Sequence, residues 1–280
     1  MACKLIAFDL DGTLLDDDKS LPAENLCALQ AAAERGIQLV PATGRILEAV
    51  PEPVRRLPFL RYYITVNGAY VCDTQTEEVL YRGEIPAELA LRALDHIHTL
   101  PVLYDCYQNN HGWMTRWMYE NAEPYFVTEP EILKLIRFTR TPVEDLRQTL
   151  RERGEPVQKL QLHFRPDQMD ERRRQTERIP QMFPELTAAS SLSNNIELNS
   201  VHAGKGRALE ALSRRLGIAI EDTVAFGDGS NDRDLLLTAG LGVAMANAHE
   251  DVKAVADFIT GSNREAGVAQ VIWRLLEEES

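Results

Sequence analysis

The chain has 280 residues, 44% of them hydrophobic and 26% charged, enough to bury a full core in one large domain or two smaller ones. A formal net charge of -13 argues against a nucleic-acid binder and against attraction to anionic membranes. It leaves room for a small phosphorylated ligand, whose charge a metal and a few basic residues can meet locally.

The first predicted element, Leu5 to Phe8, is an apolar run that reads as a short buried strand. It ends in Asp9-Leu10-Asp11-Gly12-Thr13. Positions i and i+2 of an extended chain share a side, so Asp9 and Asp11 leave the strand end together, and Gly12 relieves the backbone where it turns. Carboxylates that close repel, and they stay ionised only beside a cation or basic partner. The stretch therefore asks for a divalent metal. Asp16-Asp17-Asp18-Lys19-Ser20 follows as a polar loop; it lacks the spacing and closing glutamate of a calcium-binding EF-hand.

Leu21 to Arg35 is a predicted helix stopped at Gly36, with Leu21, Leu26, Leu29 and Ala33 apolar. Ile37 to Val40 is the next strand, running into Pro41-Ala42-Thr43-Gly44-Arg45. Strand, helix and strand in this order make a βαβ unit with a parallel sheet. A proline-rich, less regular helix covers 46–58. Tyr62 to Val66 is a third strand, followed by Asn67-Gly68-Ala69 and a hairpin through Tyr70–Asp73 to Val79–Arg82. Each polar loop follows the carboxyl end of a strand, where open α/β sheets put their ligands.

From Pro86 the pattern changes. A helix to Leu100 precedes strands at Val102–Tyr107 and Gly112–Arg116, short helices at Glu131–Arg137 and Pro142–Arg153, and an alternating strand at Val157–Phe164. A charged helix, Asp167–Ile179, and strands at Leu186–Ser191 and Asn195–Leu198 complete an expected antiparallel sheet with one solvated or ligand-facing side. Lys159 and His163 share a strand face, Trp113 and Trp117 read as core, and Arg172-Arg173-Arg174 as a solvated helix face. The parallel pattern then resumes: helix Lys205–Leu216, strand Thr223–Phe226, exit loop Gly227-Asp228-Gly229-Ser230-Asn231-Asp232, helix Asp234–Ala239, strand Gly242–Met245, helix Glu250–Ala256, a short strand at Phe258-Ile259 and a closing helix from Gly267 to Leu276. The expected fold class is α/β: a Rossmann-like, doubly wound parallel sheet core over residues 1–82 and 190–280, with an inserted α+β domain over 83–189.

Asp9, Asp11, Asp228 and Asp232 all stand at strand exits, too much negative charge to gather without a cation. Magnesium suits carboxylates, a backbone carbonyl and waters that also meet phosphate. The histidines show no zinc spacing. Lys205, opening a helix after Gly204, can meet a phosphoryl oxygen with its ammonium and the helix end, while Thr43-Gly44 adds a hydroxyl and amides. Such a site suits in-line attack on phosphorus: one carboxylate as nucleophile, a second as acid and base, the metal and Lys205 meeting the growing charge.

Asp9-Leu10-Asp11-Gly12-Thr13-Leu14, Ala42-Thr43-Gly44-Arg45, Asn67-Gly68-Ala69, Lys205-Gly206 and Gly227-Asp228-Gly229-Ser230-Asn231-Asp232 resemble the ordered motifs of the haloacid dehalogenase-like hydrolases. More closely they are similar to the Cof-type branch with its large α/β (type IIB) cap domain. Met245-Ala246-Asn247-Ala248 and the stretch 260–269 resemble that branch's C-terminal signature. Val66 departs from the serine or threonine that often precedes the asparagine-glycine pair. The resemblance implies Asp9 as nucleophile and metal ligand, and Asp11 as acid/base with its carbonyl on the metal. It implies Asp228 as a direct magnesium ligand, Asp232 as support for the metal shell or Lys205, and Thr43, Lys205 and Asn231 with the amides of Leu10 and Gly44 around the phosphoryl group. Arg45 beside the phosphate loop is a candidate for substrate contact.

The expected activity is magnesium-dependent hydrolysis of small phosphorylated metabolites, sugar phosphates first, with no nucleic-acid or membrane partner. A phosphomutase of the same fold is the alternative, and a non-catalytic magnesium- or phosphate-binding regulator a remoter one. Cys3, Cys27, Cys72 and Cys106 show no paired spacing and read as buried thiols of a reducing compartment. With acidic residues where an apolar targeting segment would stand, and an uncharged stretch at 235–248 too short to span a bilayer, a cytoplasmic protein is expected.

Overall fold

The computed structural model describes residues 3–278. β1 (Leu5–Phe8), α1 (Ala23–Glu34) and β2 (Gln38–Pro41) form the opening βαβ unit, with Phe8 opposite Pro41 in a parallel pair. Every β1 residue is fully buried, as a strand covered on both faces requires. At about 1.5–3 kcal/mol for each large side chain removed from water, Leu5, Ile6 and Phe8 anchor this end of the core. The passage expected as an irregular helix is a 3-10 turn at Leu47–Ala49 and one helical turn, α2 (Glu52–Arg55). Pro51, Pro53 and Pro58 donate no backbone hydrogen bond, which keeps α2 that short. β3 (Tyr62–Thr65), β4 (Tyr70–Asp73) and β5 (Val79–Arg82) form an antiparallel meander, tied to the end of β2 by a parallel bridge between Ala42 and Ile64.

Residues Gly83–His202 form a second compact unit. It holds α3 (Ala87–Ile97), β6 (Leu103–Gln108), β7 (His111–Thr115), α4 (Arg116–Glu120), α5 (Pro130–Thr139), β8 (Arg140–Val143), α6 (Leu146–Arg153), β9 (Lys159–His163), α7 (Met169–Met182), β10 (Leu186–Ala189) and β11 (Asn195–Ser200). The sheet order is β10-β11-β9-β6-β7-β8, antiparallel apart from the β7–β8 pair. Strand alternation sends Tyr104, Cys106, Leu160, Leu162, Ile196 and Leu198 into an apolar core with α3, α6 and α7. The alternate positions Asp105, Lys159, Gln161, His163, Asn195 and Glu197 are polar, yet also buried.

Several expectations need correction here. The second unit runs on to His202 rather than to 189, because β11 pairs with both β9 and β10. The helix expected from Pro142 starts at Leu146, where the Asp145 carboxylate accepts from the amides of Arg147 and Gln148. Pro142 lies instead in β8, an edge strand, which tolerates its missing donor. Trp117 is 63% exposed rather than core, since α4 buries no residue. Cys27 is exposed; Cys3, Cys72 and Cys106 are buried, and none of the four is in a disulfide among the described residues.

The chain then returns to the first unit through α8 (Lys205–Leu216), β12 (Thr223–Gly227), α9 (Arg233–Thr238), β13 (Leu241–Ala244), α10 (Glu250–Lys253), β14 (Phe258–Ile259) and α11 (Gly267–Glu278). Its parallel sheet has the order β14-β13-β12-β1-β2. β1 thus lies between β12 on one side and β2 on the other, the point where strand order reverses and ligands enter α/β sheets. No helix among the described residues is long and apolar enough to cross a membrane.

One buried polar side chain joins three parts of this unit. Asn25 in α1 donates from Nδ2 to the Leu14 carbonyl at 2.9 Å and accepts at Oδ1 from the Ala269 amide of α11 at 3.0 Å. Removing it leaves both backbone groups unpaired in a dry interior. Asn25→Leu is expected to destabilise the fold by roughly 2–4 kcal/mol, read as a lowered urea midpoint; an unchanged midpoint would show that water replaces the side chain.

Candidate active site

The site is built where β1 and β12 end side by side. Past Phe8 the chain keeps its pairing for one residue, the Asp9 amide donating to the Phe226 carbonyl at 3.0 Å. It then folds back on itself, with the Leu14 and Leu15 amides bonded to the carbonyls of Asp9 and Leu10. Gly12 has φ +80, and a Cβ there would overlap Asp228 Oδ2, so the turn needs glycine on both counts. Asp9, 7% exposed, accepts at Oδ1 from Lys205 Nζ at 2.7 Å.

Lys205 is the first residue of α8 and is wholly buried. Its ammonium also donates to Asp232 Oδ1 at 2.5 Å. Asp232 Oδ2 accepts from the amides of Asp228 and Gly229 at 3.1 and 2.9 Å. Both of its oxygens are therefore engaged in holding Lys205 and the β12 exit loop. Asp228 Oδ1 accepts from Thr13 Oγ1 at 2.8 Å, which links the two strand ends.

Oxygens of Asp9, Asp228 and Asp232 lie within 4.8 Å of one another. Burial pushes Asp9 well above the usual carboxylate range, Lys205 opposing and Asp232, Asp228 and Asp11 adding to the rise. Burial and then Asp232 push Asp228 up to about 6. Burial alone would lower Lys205, but the Asp232 and Asp9 carboxylates outweigh it and keep the ammonium protonated. One ammonium does not compensate three carboxylates. An oxygen-only donor set with this residual charge fits a small hard divalent cation.

Asp11 stands apart from that cluster. Arg45 clamps it through both oxygens at 2.7 Å, and Lys19 reaches Oδ1 at 2.9 Å. Burial would raise Asp11, but Arg45 and then Lys19 bring it down to about 2. Arg45, expected beside substrate, is held in this clamp by a further bond to the Ala49 carbonyl at 2.9 Å. Thr43 is buried, its amide on the Ile64 carbonyl and its hydroxyl accepting from the Arg45 amide. Asn231 Nδ2 donates to Asn67 Oδ1 at 3.2 Å, and Gly44 packs against that same oxygen. The Leu10 side chain is buried in the core.

Residues 6–272 match the family described as haloacid dehalogenase-like hydrolase. The chain belongs to that family. It is 32% identical to the phosphatase YwpJ of Bacillus subtilis strain 168, over 98% of this chain and 100% of the relative. It is also 32% identical to the 5-amino-6-(5-phospho-D-ribitylamino)uracil phosphatase YcsE of the same organism, over 96% and 94%. Among solved structures, the haloacid dehalogenase subclass IIB sugar phosphatase BT4131 superposes with a TM-score of 0.76 at 25% identity, covering 97% of this chain and 98% of that one.

This haloacid dehalogenase-like hydrolase has site partners that its sequence did not expose. Thr13 stood in the first motif without a role, and Lys19 in a loop read only for its aspartates. Asp234 Oδ2 accepts from the Gly206 amide at 3.0 Å and so holds the start of α8; nothing in its local sequence signals that contact. In the second unit, Lys159 pairs with Glu197 at 3.1 Å, and Asp105 joins Arg140 and His163 at 3.1 and 3.2 Å. Arg173 and Arg174 are exposed and paired along α7 with Asp170 and Glu171, as a solvated face, whereas Arg172 donates to the Asn195 carbonyl and Ser190.

A carboxyl raised by folding favours the folded state below its unfolded pKa of 3.8 and loses that advantage as pH climbs through about 6. Asp228→Asn keeps an acceptor for Thr13 and removes the charge. In metal-free protein it is expected to raise Tm at pH 7.5 and leave it nearly unchanged at pH 4. Equal Tm values for variant and parent at pH 7.5 would show that Asp228 bears no electrostatic strain.

Proposed function

We propose that the chain is a magnesium-dependent phosphomonoester hydrolase acting on small phosphorylated metabolites, sugar and sugar-alcohol phosphates first, through an aspartyl-phosphate. The observation that carries this reading is the Asp9 carboxylate at the end of β1, on Lys205 and within 4.8 Å of Asp228 and Asp232. The printed names of two relatives, a sugar phosphatase and a phosphoribitylamino-uracil phosphatase, support the substrate class.

Asp9 and Asp228, with the Asp11 carbonyl, would hold the magnesium ion. When bound, it supplies positive charge against the carboxylates and polarises a phosphoryl oxygen. An Asp9 oxygen attacks phosphorus as the ester P–O bond breaks, and Asp11 gives its proton to the departing oxygen. Water then attacks the aspartyl-phosphate, Asp11 takes the water's proton, and inorganic phosphate leaves with Asp9 restored. Lys205 opposes the burial that raises Asp9 and meets equatorial charge, while Thr43, Asn231 and the amides of Leu10 and Gly44 hold the phosphoryl oxygens. Clamped by Arg45 and Lys19, Asp11 is poised as the base of the second half. To act as the acid of the first half it must leave that clamp and take up a proton.

The test is phosphate release from a panel of small phosphate esters with and without magnesium. Magnesium-dependent release of inorganic phosphate is expected, lowered by roughly 10^3-fold or more in Asp9→Asn. Equal release by the variant would remove Asp9 as nucleophile, and interconversion of sugar-phosphate isomers without release would replace the hydrolase by a mutase. Arg45→Ala frees Asp11 to rise from about 2, so the alkaline limb of kcat/KM, set by the acid of the first half, is expected to move to higher pH. An unmoved alkaline limb would take the acid role away from Asp11.

A further inference from the structure

The turn after β3 is conformationally costly. Val66, Asn67 and Gly68 all have positive φ, at 53, 58 and 81 degrees. The left-handed region suits asparagine and glycine, but a β-branched valine is an outlier there, at a cost on the order of 1–3 kcal/mol. Hydrogen bonds hold the turn in that shape: the Val66 amide donates to the Arg45 carbonyl and the Asn67 amide to the Thr43 carbonyl, both at 3.0 Å. Gly68 lies so close to α8 that a Cβ would overlap the Gly204 carbonyl and stand 2.7 Å from the Lys205 backbone nitrogen. The turn is thus pressed between the loop carrying Thr43 and Gly44 and the helix start carrying Lys205.

At the centre of this turn Asn67, 8% exposed, points its carboxamide oxygen at two further site elements. That oxygen accepts from Asn231 Nδ2 at 3.2 Å, and a Cβ on Gly44 would stand 2.7 Å from it. A primary amide has two N–H donors. With one fixed on Asn67, the carboxamide plane of Asn231 is set and the direction of its second N–H is decided. An asparagine free to rotate would instead offer its oxygen or its nitrogen to an anion with similar ease, and the oxygen repels it.

We infer that Asn67 is a positioning residue for phosphate recognition: its carboxamide oxygen, set beside Gly44, fixes the orientation of the Asn231 carboxamide toward the anion. The inference rests on the proposed phosphoryl-holding role of Asn231. It also accounts for the strain at Val66, since a relaxed turn would carry the carboxamide away from Asn231.

The test is a double-mutant cycle read by calorimetric binding of inorganic phosphate at fixed magnesium concentration. Asn67→Gly tolerates the left-handed backbone and removes only the carboxamide. It is expected to weaken phosphate binding roughly five- to tenfold, as the loss of one oriented hydrogen bond would. Asn231→Ala should weaken it by a similar factor, and the double variant should be no worse than either single one. Unchanged binding in Asn67→Gly beside weakened binding in Asn231→Ala would overturn the inference, as would losses that multiply. If Asn231→Ala itself binds phosphate as the parent does, the phosphoryl-holding reading fails first, and this one with it. Should Asn67→Gly not fold, the parent protein decides by NMR. One side-chain N–H of Asn231, assigned by its absence in Asn231→Ala, is expected to be protected from solvent exchange, and two equally fast-exchanging protons would overturn the inference.

Discussion

The site depends on one ammonium group. Lys205 is wholly buried with its charge divided between Asp9 and Asp232, and these contacts fix the end of β1, the exit of β12 and the start of α8 at once. Burying a charged lysine is costly unless its donors are satisfied, and here two carboxylates satisfy it. The arrangement over-compensates, because Asp228 adds a third carboxylate to the group. That surplus negative charge gives the site its demand for a cation, and it adds to the burial that pushes Asp9 and Asp228 upward in pKa.

The supporting residues divide into two kinds. Asp232 Oδ2 and Asp234 Oδ2 accept from backbone amides of the β12 loop and α8, so these residues also act through the shape of those segments. Arg45, Lys19 and Thr13 act on individual carboxylates, drawing Asp11 down and tying Asp228 to the first loop. The two strand-end aspartates thereby enter opposite electrostatic settings: Asp9 faces other carboxylates, and Asp11 faces cations. The roles of nucleophile and acid/base proposed for them need two carboxylates that do not compete for the same proton.

The second unit has a different economy. Its sheet places an apolar face against helices, while Asp105, Lys159, Gln161, His163 and Glu197 are buried on the other. Pairing answers most of that burial, through Lys159 with Glu197 and Asp105 with Arg140 and His163. His163 Nδ1 finds no partner among the described residues. Strand alternation in the sequence identified which residues share that face, but an alternating pattern reads a polar face as solvated and is blind to pairing between distant strands.

Sequence alone determined the parts of this protein that local chemistry dictates. The apolar run ending in Asp9 and Asp11, the glycine stop after α1, the start of α8 at Lys205 and the exit loop at Asp228 are short-range patterns, and the structure has each where periodicity and turn residues put it. The doubly wound core was legible for the same reason, since strand-helix-strand order leaves few topologies. What tertiary structure decided were pairings across the chain: Arg45 on Asp11, Asn67 on Asn231, Asp234 on the start of α8, and β11 as a strand of the inserted unit. A side chain's partner depends on distance in space, and residues such as Asn67 and Asn231, far apart along the chain, meet only after two loops have been folded onto one helix end.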